Sequence, residues 1–405
     1  MRKIFTLVLG IAIGILVNAQ WKKQTAPTTG WFTGLHFTDS LNGWGTTTNG
    51  EILHTDNAGG TWNIQFDTTT QLRSVFFVNK DTGWVVGDSG VILFTQNGGS
   101  QWQLQPLPNR TVHFRDIHYA NGLAVAAGVY GSPYLTNDFG ANWSQRGSKT
   151  NNDYEVFVVN GSTIWIACQQ GADAWYSLNN GNSWVSKDVA AQASDNWAVY
   201  AFSLDTVWMG GALGKLFLTT DTGSHWITKT PSTPDTGYAG STGTIEQIFF
   251  ISQQIGYLLY KNGAVLKTLN GGNGWMRIDS VRTGSYFAFY AYNENFQWKA
   301  GSNGLIYSSV DASVYVKNTK IKDTPAASIN VYPNPAVNIV TVEIVSPVAA
   351  RQRIDVLNML GVQVLSTDCS LKQGLNTFRI SVNDLPPGFY FIRWNKQLVR
   401  ISISR

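Results

Sequence analysis

Charge and cysteine are both scarce in this sequence of 405 residues. Charged residues make up 13% of the chain, and the two cysteines are Cys168 and Cys369. So few cysteines exclude a small scaffold held together by several disulfides. We expect each cysteine to be a small, buried apolar side chain.

Basic residues form no run or stripe. Residues 20–324 hold 19 Lys and Arg against 21 Asp and Glu, and residues 325–405 hold eight against four. A protein that binds a phosphate backbone needs a concentrated positive face. The sequence therefore predicts that the protein does not bind nucleic acid.

Long apolar segments do not occur after the first 20 residues. Residues 1–19 begin with two basic side chains, Arg2 and Lys3, continue with an apolar run to Val17 and end on Ala19. This order is typical of a secretory signal peptide that is cleaved after Ala19. The apolar run is shorter than the ~20 residues that cross a bilayer. We predict a secreted protein with no membrane span after cleavage of the signal.

Glycine and tryptophan, in contrast, are abundant, with 40 and 16 copies. A glycine-rich segment recurs every 40 to 49 residues, as in GEILHTDNAGGTW at 50–62 and GVILFTQNGGSQW at 90–102. The seven copies begin at Gly50, Gly90, Gly131, Gly171, Gly214, Gly263 and Gly304. Such a period is typical of a propeller or solenoid, and four strand-like runs per copy correspond to one propeller blade. We predict an all-β fold in which residues 20–316 form a seven-bladed β-propeller.

Each clear copy ends in a turn of Asn or Asp, Gly and Trp. The side chain of Asn or Asp accepts backbone hydrogen bonds across the turn, and glycine takes the positive φ. We therefore expect Asp56, Asp221 and their equivalents to be structural. The tryptophans are expected to wedge between neighbouring sheets, and they are Trp62, Trp102, Trp143, Trp184, Trp226 and Trp275, with Trp21 one repeat earlier.

These turns resemble the Asp-box, or BNR, motif of sialidase-type propellers, where the boxes are structural. The longer pattern, as in VFFVNKDTGWVVGDSGVILFTQNGGSQW at 75–102, resembles the propeller of the photosystem II stability/assembly factor family. This resemblance covers about residues 21–316. It implies the fold, and it does not oblige this chain to bind the photosystem partner of that family.

The seventh copy has Val316 where the other copies have tryptophan. An open ring would leave sheet edges unpaired. We predict that residues 21–24 supply the outer strand of the last blade, so that the two ends of the propeller fasten the ring. The alternative is that residues 313–316 complete that blade.

The composition changes after a polar stretch at 317–327, which we interpret as a linker. Residues 328–405 contain strand-like runs separated by Pro, Gly and Asn turns, and they predict a small Ig-like β-sandwich. The motif residues of this region are Tyr332, Pro333, Asn334, Pro335, Gly361 and Gly388.

As a set, these motifs resemble the type A sorting domain of the type IX secretion system of Bacteroidetes. The resemblance implies that residues 328–405 engage the secretion machinery and that the protein reaches the outer-membrane surface or the medium. The alternative is a generic Ig-like adhesive module.

No set of residues in the propeller predicts catalysis. The sialidase set of arginines, tyrosine and glutamate is incomplete, and the free carboxylates share no motif. The five histidines, which we place at unrelated repeat positions, are His36, His54, His113, His118 and His225. Their spacing does not suit a metal site. We predict no catalytic residue, no metal and no cofactor.

One position near the start of each blade varies in kind. It holds Thr33, Arg73, Arg115, Tyr154, Trp197, Glu246 and Phe287. Structural residues at equivalent positions of a repeat usually recur in kind, so this variation predicts a rim that binds a glycan or a protein. We therefore predict a non-catalytic binding propeller. The alternative is a sialidase-like or other glycoside hydrolase, which would need two suitably spaced carboxylates.

Overall fold

The computed structural model describes residues 21–129, 133–147, 152–169, 173–189, 195–231, 243–279, 283–309, 328–332, 336–346, 348–358, 362–394 and 397–403. The predicted signal peptide and linker lie outside these ranges. The chain divides into two compact units, Met1–Lys317 and Asn318–Arg405. Within the described ranges the secondary structure is β-strand with two short 3₁₀ turns, Ala212–Gly214 and Ser302–Gly304, and no helix there is long and apolar enough to cross a membrane.

Seven four-stranded antiparallel sheets make up the described part of the first unit. Strand β1 (Lys22–Gln24) comes first in the chain but belongs to the last of these sheets. Blades 1 and 2 are β2 (Phe32–Phe37), β3 (Gly43–Thr47), β4 (Glu51–Thr55), β5 (Asn63–Asp67), β6 (Leu72–Phe77), β7 (Gly83–Gly87), β8 (Val91–Thr95) and β9 (Gln103–Leu104). Blades 3 and 4 are β10 (His113–Ala120), β11 (Leu123–Val129), β12 (Tyr134–Thr136), β13 (Ser144–Gln145), β14 (Asn152–Val158), β15 (Ile164–Gln169), β16 (Asp173–Ser177) and β17 (Val185–Asp188).

Blades 5 to 7 repeat the same order of strands. They are β18 (Asn196–Ala201), β19 (Val207–Gly211), β20 (Leu216–Thr219), β21 (Ile227–Thr228), β22 (Ile245–Phe250), β23 (Gly256–Tyr260), β24 (Val265–Thr268), β25 (Met276–Arg277), β26 (Tyr286–Ala291), β27 (Gln297–Gly301) and β28 (Ile306–Ser308). The first strands of consecutive blades contact one another around the circle, from β2 with β6 to β26 with β2. This is the seven-bladed propeller that the repeat predicted.

Aromatic side chains fill the space between neighbouring blades. Trp44 of blade 1 stacks on Phe77 of blade 2 with ring centroids 3.6 Å apart, and Trp102 stands edge-on to Phe77 at 5.9 Å. The same arrangement joins blade 7 to blade 1 through Trp298, Phe37 and Trp62. The large buried area of such rings supplies much of the packing energy between sheets.

The turn before the outer strand of each of blades 1 to 6 is held by the same side-chain network. In blade 1, the N–H groups of Gly59 and Thr61 donate to Thr55 Oγ1 and Asn57 Oδ1, at 2.8 and 2.9 Å. Gly59 has a φ of +87°, a region that favours glycine. The same bonds recur in blades 2 to 6.

The prediction that Asp56 is the box residue of blade 1 was wrong. The residue that accepts the bonds across the turn is Asn57, five positions before Trp62, just as Asp221 stands five positions before Trp226. Asp56 is exposed.

The predicted ring closure is confirmed. Strand β1 pairs antiparallel with β28, with Lys22 opposite Ser308 and Gln24 opposite Ile306. The sheet of blade 7 therefore has the order β1-β28-β27-β26. Residues 313–316, the alternative, lie outside the described residues, and the outer edge of β28 is taken by β1.

A buried lysine reinforces this closure. Lys299 of β27 forms an ion pair with Asp279, and neither side chain is exposed. The Lys299 Nζ also lies 4.4, 5.4 and 5.7 Å from the ring centroids of Tyr286, Trp21 and Tyr307. Burial lowers the pKa of Lys299, and the charge of Asp279 opposes this shift. Because an unpaired buried charge is costly, these groups favour one arrangement of the last blade.

The described residues of the second unit form seven strands in two antiparallel sheets. They are β29 (Ser328–Tyr332), β30 (Ile339–Ser346), β31 (Ala350–Asn358), β32 (Gln363–Leu371), β33 (Gly374–Ser381), β34 (Gly388–Trp394) and β35 (Gln397–Ile403), in the orders β29-β30-β33 and β32-β31-β34-β35. One hydrophobic core is shared by both sheets, with Val340 and Ile380 from the first and Val356 and Ile392 from the second. This arrangement is compatible with the expected Ig-like sandwich.

Part of the predicted sorting motif forms the corner that leads into β34. Gly388 has a φ of +155°, a value that residues with a Cβ atom rarely adopt. Tyr390 is 8% exposed, and its hydroxyl donates to the carbonyl of Pro386 at 2.9 Å. Pro333, Asn334, Pro335 and Gly361 lie outside the described residues, as does the side chain of Tyr332.

Replacing Trp21 by alanine should lower the free energy of unfolding by about 3 to 5 kcal/mol, as for loss of a buried aromatic side chain. Trp21 is 6% exposed and packs in the last blade. Urea unfolding measures this loss. Leu104→Ala is the control, because Leu104 is 56% exposed on β9 and its loss should cost less than about 0.5 kcal/mol.

Deletion of residues 20–26 should raise amide hydrogen exchange in β28 more than in β7, because β28 loses one of its two neighbours. If β28 and β7 exchange equally in the deletion variant, the ring closes in another way.

Candidate functional site

Each of the seven inner strands carries one β-bulge at the same place. The pairing with the second strand shifts register between residues 32 and 34, 72 and 74, 114 and 116, 153 and 155, 196 and 198, 245 and 247, and 286 and 288. The extra residue of each bulge is a rim residue proposed from the sequence: Thr33, Arg73, Arg115, Tyr154, Trp197, Glu246 or Phe287. A bulge leaves its extra residue outside the ladder and re-aims its side chain. The position can therefore vary without disturbing the sheet.

The inner strands surround a central cavity of about 650 Å³. Six of the rim residues line it, namely Thr33, Arg73, Arg115, Trp197, Glu246 and Phe287. The side chain of Tyr154 lies outside the described residues. The volume falls within the range of ~300 to ~1,000 Å³ that is usual for small-molecule sites.

Basic side chains gather on the side of blades 2 and 3. Arg73 donates two hydrogen bonds to the carboxylate of Asp88, at 3.1 and 2.7 Å. Arg115 Nη1 and His113 Nδ1 lie 3.7 and 3.6 Å from the same carboxylate. Desolvation raises the pKa of Asp88, but the hydrogen bond and charge of Arg73, with the charges of Arg115 and His113, hold it below its usual value. Three basic side chains thus lie around the single carboxylate of Asp88.

The part of the mouth formed by blades 6, 7 and 1 carries two aromatic rings, one carboxyl and one lysine. Trp31 stacks on Phe287 with ring centroids 5.6 Å apart and planes 7° from parallel, although Trp31 is 48% exposed. Lys261 Nζ lies 5.7 Å from the centroid of Phe287 and 3.9 Å from Oε1 of Glu246. Burial raises the pKa of Glu246 to about 7, against the attraction of Lys261.

Below the rim, five of the seven residues that directly follow the bulges line the cavity. Four of these residues, which we call the wall residues, are polar: Ser74, Asp116, Glu155 and Gln247. Asp116, Glu155 and Gln247 accept the backbone N–H groups of residues 156, 199 and 289 in the next blade, at 3.0, 2.7 and 2.6 Å. Burial raises the pKa of Asp116 to about 6, although its hydrogen bonds lower it. Burial and the neighbouring Asp116 raise the pKa of Glu155.

Three positions after each bulge, a ring of aromatic side chains narrows the cavity. This floor ring consists of His36, Phe76, His118, Phe157, Tyr200, Phe249 and Tyr290. Consecutive members contact one another around the whole circle, with centroids 4.4 to 6.4 Å apart. Burial lowers the pKa of His36 to about 3, with a smaller contribution from His118, and that of His118 to about 4, so both are neutral at pH 7.

The floor ring corrects one sequence expectation. His36 and His118 do not occupy unrelated positions, because both stand three residues after a bulge. The signal was present in the repeat, since all seven residues at that position have ring side chains. Within the described residues, no three His, Cys, Asp or Glu side chains group in a way that could hold a metal ion.

Two other residues of the site, Trp31 and Asp116, could not be identified from the sequence. Trp31 has no aromatic equivalent at the same position of blades 2 and 5 to 7, and its partner Phe287 is far away in the sequence. Asp116 accepts a hydrogen bond from blade 4, which follows from the packing of neighbouring blades and not from any local pattern.

Replacing Glu246 by glutamine should remove a pH-dependent loss of stability. In the unfolded chain this carboxyl ionises near its ordinary pKa of 4.5, whereas in the folded protein it keeps its proton until about pH 7. Its contribution to stability is therefore present below about pH 4.5 and is lost as pH rises through about 7. The loss is about 3 kcal/mol, at about 1.4 kcal/mol for each tenfold change in proton affinity.

Urea unfolding at several pH values tests this prediction. Glu246→Gln should match the parent protein near pH 4 and exceed it near pH 8, whereas Asp67→Asn, an exposed carboxyl on β5, is the control. An unchanged difference between pH 4 and pH 8 would contradict it.

Two family models match parts of the chain. Residues 14–151 match the model described as photosynthesis system II assembly factor YCF48. Residues 330–402 match the model described as secretion system C-terminal sorting domain. No curated protein matches the chain.

Solved structures are similar in fold. YCF48 from Cyanidioschyzon merolae is 16% identical with a TM-score of 0.59, over 71% of this chain and 98% of that one. A structure of YCF48 bound to D1 peptide is 20% identical with a TM-score of 0.60, over 71% and 96%. The GH74 xyloglucanase of Xanthomonas campestris is 13% identical with a TM-score of 0.57, over 80% and 59%.

At these identities the structural likeness concerns the fold alone. The sorting domain supports export to the cell surface or the medium. The chain is a propeller similar to that of YCF48, followed by a C-terminal region that matches the model of a secretion system sorting domain.

Proposed function

We propose that this protein is a binding propeller that takes a glycan or a protein segment into its central cavity and does not convert it chemically. The seven aligned bulges carry the proposal. The extra residues of the bulges differ in kind, and six of their side chains line one cavity. The stacked pair Trp44 and Phe77 and the Asn or Asp turns, in contrast, have counterparts in other blades. A position that is free to vary and that faces a cavity suits recognition.

The environment of the wall residues favours binding over hydrolysis. A glycosidase needs one carboxyl as acid and another as base or nucleophile. Asp116 and Glu155 line the cavity with raised pKa values, which favours the hydrolase alternative. However, each accepts a backbone N–H of the next blade, so each has a structural role in joining blades. We therefore place binding first.

The route to the cell surface belongs to the same proposal. Residues 1–19 would direct the chain across the inner membrane, and residues 328–405 would then engage the type IX secretion machinery. The sorting-domain match at residues 330–402 supports the second step.

The double variant Arg115→Ala/Trp197→Ala should lose ligand capture at least tenfold. Both side chains line the mouth of the cavity, and two anchors of this kind typically carry a large share of binding energy. The mature full-length protein is tested on glycan and peptide arrays and against chromogenic glycosides. Arg146→Ala/Leu104→Ala, which changes exposed residues outside the cavity, is the control and should bind normally.

Normal capture by the Arg115→Ala/Trp197→Ala protein would show that the rim is not the binding surface. Turnover of a glycoside that Glu155→Gln abolishes would establish the hydrolase instead.

A chain that ends after Asp323 should accumulate, folded, in the periplasm, because the propeller forms a compact unit that ends at Lys317. Fractionation followed by limited proteolysis measures location and folding, with the full-length chain as control. Export of the shortened chain at the normal level would remove the sorting role from residues 328–405.

A further inference from the structure

The guanidinium group of Arg73 is held in one orientation at the mouth of the cavity. Its Nε and Nη2 donate to the carboxylate of Asp88, and Nη2 also donates to Gln71 Oε1 at 2.6 Å. Within the described residues, Nη1 of Arg73 makes no hydrogen bond. Asp88 also has Arg115 and His113 beside it, so one negative charge faces several basic groups. A fixed and charged donor suits an anionic group of a ligand.

A second cation, Lys261, lies on blade 6. Its side chain is 52% exposed, and Nζ is 3.9 Å from Oε1 of Glu246. Burial raises the pKa of Glu246 to about 7, against the attraction of Lys261. At neutral pH this carboxyl is therefore partly protonated and compensates the lysine only in part. Lys261 thus also retains positive charge that an anion can meet.

An aromatic surface lies between these two cations. Trp31 of blade 1 is 48% exposed and stacks on Phe287 of blade 7, which in turn lies 5.7 Å from the ammonium group of the lysine on blade 6. On the other side, Thr33 Oγ1 donates at 2.9 Å to the carbonyl of Leu72, the residue before Arg73. The order around the mouth is therefore cation, indole, phenyl ring and cation. A ligand that fits has an apolar face flanked by acidic groups.

The inner strands offer little to the main chain of a peptide. Extended peptides commonly gain affinity by pairing with a free strand edge. Here three of the inner-strand N–H groups already donate to Asp116, Glu155 and Gln247 of the preceding blade. These side chains lie below the rim and are engaged in joining the blades. A sugar chain needs no strand edge, so the mouth suits a glycan better than a peptide.

We infer that the mouth binds an acidic oligosaccharide, with the apolar face of one pyranose ring on Trp31 and carboxylates of the sugar chain on Arg73 and Lys261. The inference rests on the proposed function and narrows its ligand from glycan or protein to a glycan of uronic acids. Such a chain carries one carboxylate on every ring, so a ring on the indole has acidic groups on both sides.

Calorimetric titration of the mature full-length protein tests the inference. The probes are hexagalacturonate, hexamannuronate and hexaguluronate, the methyl ester of each, cellohexaose and a hexaglutamate peptide. At least one oligouronate should bind, and its methyl ester, which has the same rings without the charge, should bind at least tenfold more weakly. Trp31→Ala should weaken binding of the oligouronate at least tenfold.

Two further variants test the cations separately. Arg73→Gln and Lys261→Gln should each weaken binding of the oligouronate at least fivefold. Arg146→Gln, which removes the same charge from an exposed position outside the cavity, should leave it unchanged. Circular dichroism and the melting temperature check that each variant folds. Lys261→Gln decides the question if Arg73→Gln does not fold, because Lys261 is half exposed.

Four results would overturn the inference. Equal binding of an oligouronate and its methyl ester would show that the carboxylates are not recognised. Parent-level binding by Lys261→Gln or by Trp31→Ala would exclude the arrangement around the indole. Binding of cellohexaose alone, or of hexaglutamate at least as tightly as any oligouronate, that Arg115→Ala/Trp197→Ala abolishes would refute the acidic glycan while the binding propeller stands. If neither these probes nor the arrays give binding, the proposed function fails together with this inference.

Discussion

The whole propeller depends on the pairing of β1 with β28. Seven sheets make a closed circle only if the last one is complete, and its outer strand comes from the opposite end of the propeller sequence. Lys299 fixes this junction, because its buried charge is compensated by Asp279 and by the aromatic faces of Trp21 and Tyr286. The cavity exists because the circle is closed, so the shape of the cavity and the stability of the junction are linked.

A second constraint explains why polar groups line the centre. Each inner strand has one edge that faces the cavity and finds no strand to pair with, and buried N–H groups there need acceptors. Asp116, Glu155 and Gln247 supply them across the blade boundary, and His118 accepts the N–H of Val158 at 3.2 Å. The same side chains join neighbouring blades and present hydrogen-bonding atoms to the cavity. The same residues thus stabilise the fold and line the cavity.

Much of this architecture could be predicted because it repeats. The blade count, the closing strand and the rim position all follow from a period of 40 to 49 residues, and the bulge explains why the rim position varies. What could not be predicted depends on contacts between distant segments. Nothing in the sequence indicates that Arg73 and Arg115 lie around Asp88. Nor does it indicate that Trp31 stacks on Phe287.

The position of β28 has a mechanical consequence. This strand is the last described strand before the chain passes to the C-terminal unit, and it is hydrogen-bonded on both sides, to β27 and to β1. If the C-terminal unit is tethered and a ligand is pulled away, tension enters the propeller through β28. The load is then shared by the hydrogen bonds that join β28 to β27 and to β1, and it draws on the first and last strands of the ring together. Closing the circle with the N-terminal strand therefore also anchors the propeller against force from its tail.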